Sequence, residues 1–191
     1  MSEHPKSTRR RGELEVPCLI SAEEIALRVE ELAEQISADY ADGELLVVGV
    51  LKGAWVLMAD LVRRLQIPVC CDFLRLSSYG NHTTTSGKPE LLLDLSEPIE
   101  GRDVLVVEDL LDTGLTTQWL REHLGRMRPK SLRFCVLLDK PTRRRVEVKA
   151  DYVGFEIPDR FVVGYGIDYQ QRYRQLPYIG FIETQEENTH D

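Results

Sequence analysis

Between Glu108 and Thr117 the chain gathers three carboxylates, a glycine and three threonines within ten residues, Glu-Asp-Leu-Leu-Asp-Thr-Gly-Leu-Thr-Thr. Small and hydroxylated residues let backbone N–H groups close around an anion at the start of a helix, so Thr113, Gly114, Thr116 and Thr117 read as a phosphate loop. A loop built for phosphate alone would not set three carboxylates beside a dianion. Glu108 and Asp109 suit the hydroxyls of a vicinal diol, or Mg²⁺ held through water, and Asp112 is left free to take a proton. Strand termination and helix capping account for an Asp here and there, not for the whole set.

The elements that must position this loop are legible around it. Residues 104–107 are an unbroken apolar, mostly β-branched run, the habit of a strand buried on both faces of a parallel sheet. Glu108 and Asp109 are expected where that strand ends, at the carboxyl edge where open α/β sheets bind ligands. Residues 45–51 and 134–138 read as further buried strands, 69–76 as an alternating strand, and 91–95 as the returning strand of a hairpin. Ser21 and Glu24 form a capping box, and Ile25, Val29, Leu32 and Ile36 recur at helical spacing, so residues 21–39 are a helix. A second helix is expected over residues 54–64, and a third carries Leu120, Leu124 and Met127 until Pro129 stops it. Alternating strands and helices predict an α/β fold with a doubly wound, mainly parallel sheet and helices on both faces.

Two more strand ends carry chemistry. Lys52-Gly53 sits between a strand and a helix, a second anion-site layout. Lys140 follows the strand at residues 134–138 and has three donors to offer a carbonyl oxygen. The segment 77–87 is small, polar and glycine-punctuated, a mobile loop by composition, and His82 within it reads as loop surface. Arg143-Arg144-Arg145 reads as a solvated turn.

At 191 residues and 42% hydrophobic, one domain is expected over residues 1–191, with 1–15 a loose arm and 184–191 a polar tail. A net charge of −8 argues against a nucleic-acid partner bound through a general basic surface. Cys18, Cys70, Cys71 and Cys135 show no C-x-x-C spacing, which suits a reducing cytoplasm. Arg9, Arg10 and Arg11 precede no apolar targeting segment, and no apolar stretch reaches membrane-spanning length, so a cytoplasmic protein without a membrane partner is expected. No G-x-G-x-x-G turn opens a helix, which argues against a dinucleotide oxidoreductase.

The run from Val104 to Thr116 resembles the phosphoribosyl-pyrophosphate (PRPP) signature of the type I phosphoribosyltransferases, and residues 45–183 are similar to the family's hypoxanthine-guanine members. The resemblance implies that family's fold with a small C-terminal base-binding hood, Mg²⁺ as cofactor, and a homodimer or homotetramer. It implies transfer of the phosphoribosyl group of PRPP to hypoxanthine or guanine, a 6-oxopurine, giving IMP or GMP and pyrophosphate, a purine-salvage reaction.

Carried over by residue, PRPP would be held by Lys52, Gly53, Glu108, Asp109, Asp112, Thr113, Gly114, Leu115, Thr116 and Arg174. The Lys52-Gly53 segment would bind pyrophosphate after a non-proline cis peptide at Leu51–Lys52. Asp112 would be the general base, Lys140 would meet the purine 6-oxygen, Phe161 would stack on the ring and the backbone of Val162 would read its edge. Glu108, Asp109 and Asp168 would serve the metal, and Ser78 and Tyr79 a closing lid. The chain departs from relatives at Ala54, where a second glycine is common, and at Leu115, where a polar or basic residue is common. The alternative is a regulator that keeps the PRPP fold and binds nucleic acid or nucleotide, against which the net charge of −8 counts.

Overall fold

The computed structural model describes residues 16–77 and 89–183. The expected N-terminal arm, the Ser78–Tyr79 lid and the polar tail lie outside the described residues. In chain order the elements are β1 (Cys18–Ile20), α1 (Ala22–Asp39), β2 (Leu45–Leu51), α2 (Trp55–Val62), β3 (Val69–Leu76), β4 (Leu91–Leu93) and β5 (Asp103–Leu111). They continue with α3 (Leu115–Gly125), β6 (Ser131–Asp139), a 3₁₀ turn at Pro141–Arg143, β7 (Tyr152–Glu156), β8 (Phe161–Val163) and β9 (Ile179–Ile182).

Six strands form one sheet in the order β4-β3-β2-β5-β6-β7, all parallel except the antiparallel edge strand β4. From β2 the chain winds through α2 to β3 on one side; from β5 it winds through α3 to β6 on the other. The order therefore reverses between β2 and β5, and the crevice beyond their carboxyl ends is where such sheets take ligands.

Side chains alternate across the central strands, and each face finds its own helices. Leu45, Val47, Leu105, Val107, Cys135 and Leu137 pack with Ile25, Val29, Leu32 and Ile36 of α1 and Leu57 and Leu61 of α2. Leu46, Val48, Val104, Val106 and Phe134 pack with Leu120 and Leu124 of α3. Burial on both faces is why these strands are apolar without a break. The α1 capping box is formed: the Glu24 N–H donates to Ser21 Oγ at 3.2 Å, and the Ser21 N–H to Glu24 Oε2 at 2.8 Å. Among the described residues, no helix is long and apolar enough to cross a membrane.

Several expectations are corrected. The strand expected to end at Val107 runs on to Leu111, because β6 continues beside it to Asp139 and keeps the ladder paired. The helices α2 and α3 are shorter than expected, ending at Val62 and Gly125. The chain after Asp151 does not all turn into a separate hood: β7 extends the main sheet beside β6. The second sheet is antiparallel, in the order β1-β9-β8, and so takes one strand from the N-terminal side of the chain.

Candidate active site

The turn after β5 is shaped by Gly114. It holds φ +84° as the N-cap of α3, a left-handed conformation that favours glycine, and a Cβ there would come within 2.5 Å of Val148 Cγ1. The turn is tied from outside by the Arg145 N–H, which donates to Thr113 O at 2.9 Å. The first turn of α3, whose N–H groups have no helical carbonyl to bond, borders the same cavity as Lys52 and Gly53 through Thr116.

Across that cavity the Leu51–Lys52 peptide bond is cis, as the resemblance implied. Gly53 follows, and any Cβ on it would collide with the Asp109 carboxylate; a Cβ on Gly166 would in turn collide with Gly53 O. Asp109 therefore lies directly on the Lys52–Gly53 backbone. Lys52 Nζ donates to Gln171 Oε1 at 3.1 Å. Arg174 Nη2 lies 2.6 Å from Asp168 Oδ1, and its Nη1 donates to Gly166 O at 2.7 Å. The Gln171 N–H donates to Asp168 Oδ2 at 2.7 Å. Lys52, Gly53, Asp109, Thr116, Asp168 and Arg174 so come together around one cavity of about 540 Å³.

A larger cavity of about 950 Å³ is lined by Asp112, Lys140, Arg143, Phe161, Val162 and Asp168. Asp168 borders both cavities, and the Asp112–Thr116 turn contributes to each. The Phe161 ring is 43% exposed and held edge-on by Tyr169, centroids 5.4 Å apart. Lys140 is buried, donates to Arg160 O and lies 3.8 Å from Asp159 Oδ1.

The charges here are far from their solution behaviour. Burial pushes the Glu108 carboxyl up to about 7, against the hydrogen bond from Thr117 that favours its ionised form. Burial also raises Asp109, with Asp168 adding to the shift and Arg174 opposing it. Burial lowers Lys140, while the nearby Asp112 and Asp159 carboxylates hold its proton on.

The structure does not bring Glu108, Asp109 and Asp168 into one cluster. Glu108 and Asp109 are consecutive in a strand and point to opposite faces: Glu108 towards α3, where Thr117 meets it, and Asp109 onto Gly53. Among the described residues, no group of three or more His, Cys, Asp or Glu side chains is placed to hold a metal. Asp112 is not free either, since Arg143 Nε lies 3.2 Å from its Oδ1.

The arginine triplet is the other correction. Arg144 is no solvated side chain: its guanidinium donates to Leu111 O, Asp112 O and the Asp139 carboxylate, joining the ends of β5 and β6. Arg143, Asp159 and Gln171 also escaped sequence reasoning. The one available signal was that the triplet begins three residues after Lys140.

Comparison with known proteins agrees with this geometry. Residues 19–170 match the phosphoribosyl transferase domain family. A hypoxanthine phosphoribosyltransferase of Salmonella typhimurium is 51% identical over 169 residues, covering 87% of this chain and 95% of that protein. A hypoxanthine-guanine phosphoribosyltransferase of Bacillus subtilis is 48% identical over 165 residues, covering 86% and 92%. The crystal structure of a hypoxanthine-guanine phosphoribosyltransferase from Bacillus anthracis, with HEPES in its active site, matches at a TM-score of 0.84 and 49% identity, over 90% of this chain and 100% of that one.

Proposed function

Since the chain belongs to the phosphoribosyl transferase family, we propose that it transfers the phosphoribosyl group of PRPP to N9 of hypoxanthine or guanine, releasing pyrophosphate. The observation that carries this reading is the pair of adjoining cavities with Asp168 between them. One is edged by the cations Lys52 and Arg174, as a pyrophosphate needs; the other is edged by an exposed aromatic face and a buried lysine, as an oxopurine needs.

In this reading each residue has a role. Lys52, Arg174 and the N–H groups at the start of α3 receive the phosphates, and the charge they supply is most useful as pyrophosphate departs. Glu108 and Asp109 accept hydrogen bonds from the ribose hydroxyls. Phe161 stacks on the purine, the Val162 backbone reads its edge, and Lys140 donates to the 6-oxygen. Cleavage at the anomeric carbon passes through an oxocarbenium-like state, as in glycoside hydrolysis, so the base must be deprotonated as it attacks. Asp112 lies at the rim of the base cavity and takes that proton through N7.

Asp109 and Asp168 fit a Mg²⁺ ion: two carboxylates border the cavity assigned to phosphate, and Mg²⁺ binds through one or two carboxylates, retained waters and substrate phosphates. When bound, it neutralises charge on the pyrophosphate. An apolar cavity of about 560 Å³ between α1 and α2, flanked by the 49%-exposed Trp55, supports self-association as a homodimer or homotetramer. The test of the functional reading is whether nucleotide and pyrophosphate appear together when the protein receives PRPP, Mg²⁺ and hypoxanthine. Absence of either product contradicts it.

A further inference from the structure

Among the described residues, the tyrosines apart, three polar or charged residues are buried: Glu108, Thr117 and Lys140. Two of them are bonded to each other, Thr117 Oγ1 donating to Glu108 Oε2 at 2.6 Å. The position of Thr117 makes this informative. Residues 117, 120 and 124 form the inward stripe of α3, and the other two are leucines in the core. A hydroxyl 2% exposed on that stripe would be destabilising without a partner. Its partner is itself a carboxylate 3% exposed, flanked along β5 by the core residue Val106. At 2.6 Å the bond is at the short end for a hydroxyl donating to oxygen.

We infer that Thr117 is a positioning residue for sugar recognition: by holding Oε2 of Glu108 it fixes the rotamer in which Oε1 can meet the ribose diol of PRPP. The inference rests on the reading of this site as a PRPP site. A glutamate has three side-chain torsions to order, and a carboxylate left to sample them binds a diol more weakly than one already aimed. The same bond ties the carboxyl end of β5 to the first turn of α3, so the acid and the anion-binding N–H groups keep one spacing.

Thr117→Val replaces the hydroxyl with a methyl group of the same shape. With Mg²⁺ and hypoxanthine, the KM for PRPP is expected to rise about tenfold or more, because the buried carboxyl loses the donor that holds it. The KM for hypoxanthine and kcat at saturating PRPP should stay within about threefold, and Thr117→Ser should return the PRPP KM to near the wild-type value. An unchanged or lowered KM for PRPP overturns the inference. So does a loss confined to kcat with a lowered melting temperature, which marks a residue that only supports the helix.

If the valine variant does not fold, calorimetric titration of PRPP into Thr117→Ala and Thr117→Ser reads the same contrast: weaker binding by the alanine variant supports the role, and equal binding overturns it. If wild-type protein forms no nucleotide, the functional reading fails, while the titrations still decide whether Thr117 governs PRPP affinity.

Discussion

Arg143 Nε lies 3.2 Å from Oδ1 of Asp112 while its Nη1 lies 3.4 Å from Oδ2 of Asp159, so one guanidinium spans two carboxylates at the rim of the larger cavity. The proposed general base is thus already paired with an arginine. The partners are 45% and 35% exposed, and such ion pairs contribute at most about 1 kcal/mol, so an entering purine can displace the arginine. Asp112→Asn keeps the shape and removes the basicity. Steady-state kinetics should show kcat lower by about 10²–10⁴ with PRPP affinity little changed. Turnover within a few-fold of wild type would remove Asp112 from the role.

Arg144 couples the two strand ends that carry Asp112 and Lys140. Its side chain is 17% exposed, and it satisfies Leu111 O, Asp112 O and Asp139 together. Arg144→Met leaves the Asp139 carboxylate, 13% exposed, without that cation. Removing one partner of such a pair is expected to lower unfolding stability by about 3 kcal/mol. Arg144→Lys restores the charge but not the planar fork, and should recover less than half of the loss. Urea midpoints at constant m-value measure both; midpoints equal to wild type would show that the clamp is dispensable.

Gly53→Ala tests the contact between the Lys52–Gly53 segment, proposed to bind pyrophosphate, and Asp109. The added Cβ would meet the Asp109 carboxylate, so the two must separate. The KM for PRPP is expected to rise by about tenfold or more, with a much smaller proportional change in the KM for hypoxanthine. Equal effects on the two substrates would mean that the contact matters for packing rather than for phosphate.

Most of the parallel sheet was legible because burial on both faces leaves apolar runs that polar turns interrupt; β2 and β3 have the bounds the pattern implied. The carboxyl end of β5 was not, since Glu108 and Asp109 look like a terminus although the neighbouring β6 pairs with Glu108, Leu110 and Leu111. The second sheet was hidden for another reason: it pairs Cys18 with Gly180, a contact that no local period records. Arg144 was read as solvated because three consecutive arginines look like surface, and only the carbonyls of a distant strand end show otherwise. The turn from β5 into α3 was the most readable feature, because a glycine among threonines at a strand end marks the left-handed cap and the helix start locally. What the sequence did not display was that Thr117 faces inward.

Lys140→Gln tests how the base is chosen. The lysine is 6% exposed, and its ammonium can only donate, which suits the 6-oxygen of hypoxanthine or guanine and opposes the 6-amino group of adenine. Glutamine offers a donor and an acceptor, so the ratio of kcat/KM for hypoxanthine over adenine should fall by about tenfold or more. An unchanged ratio would show that cavity shape alone selects the base.

The account stands most directly on one competition experiment. Purified protein is given PRPP and Mg²⁺ with hypoxanthine, guanine, adenine and uracil together, and nucleotides and pyrophosphate are quantified. The expected result is IMP and GMP, with pyrophosphate equal to their sum and adenine nucleotide lower by about 10⁴. Adenine nucleotide at a comparable rate, or no nucleotide from any base, would contradict the assignment of Lys140, Phe161 and Asp112 to a 6-oxopurine site.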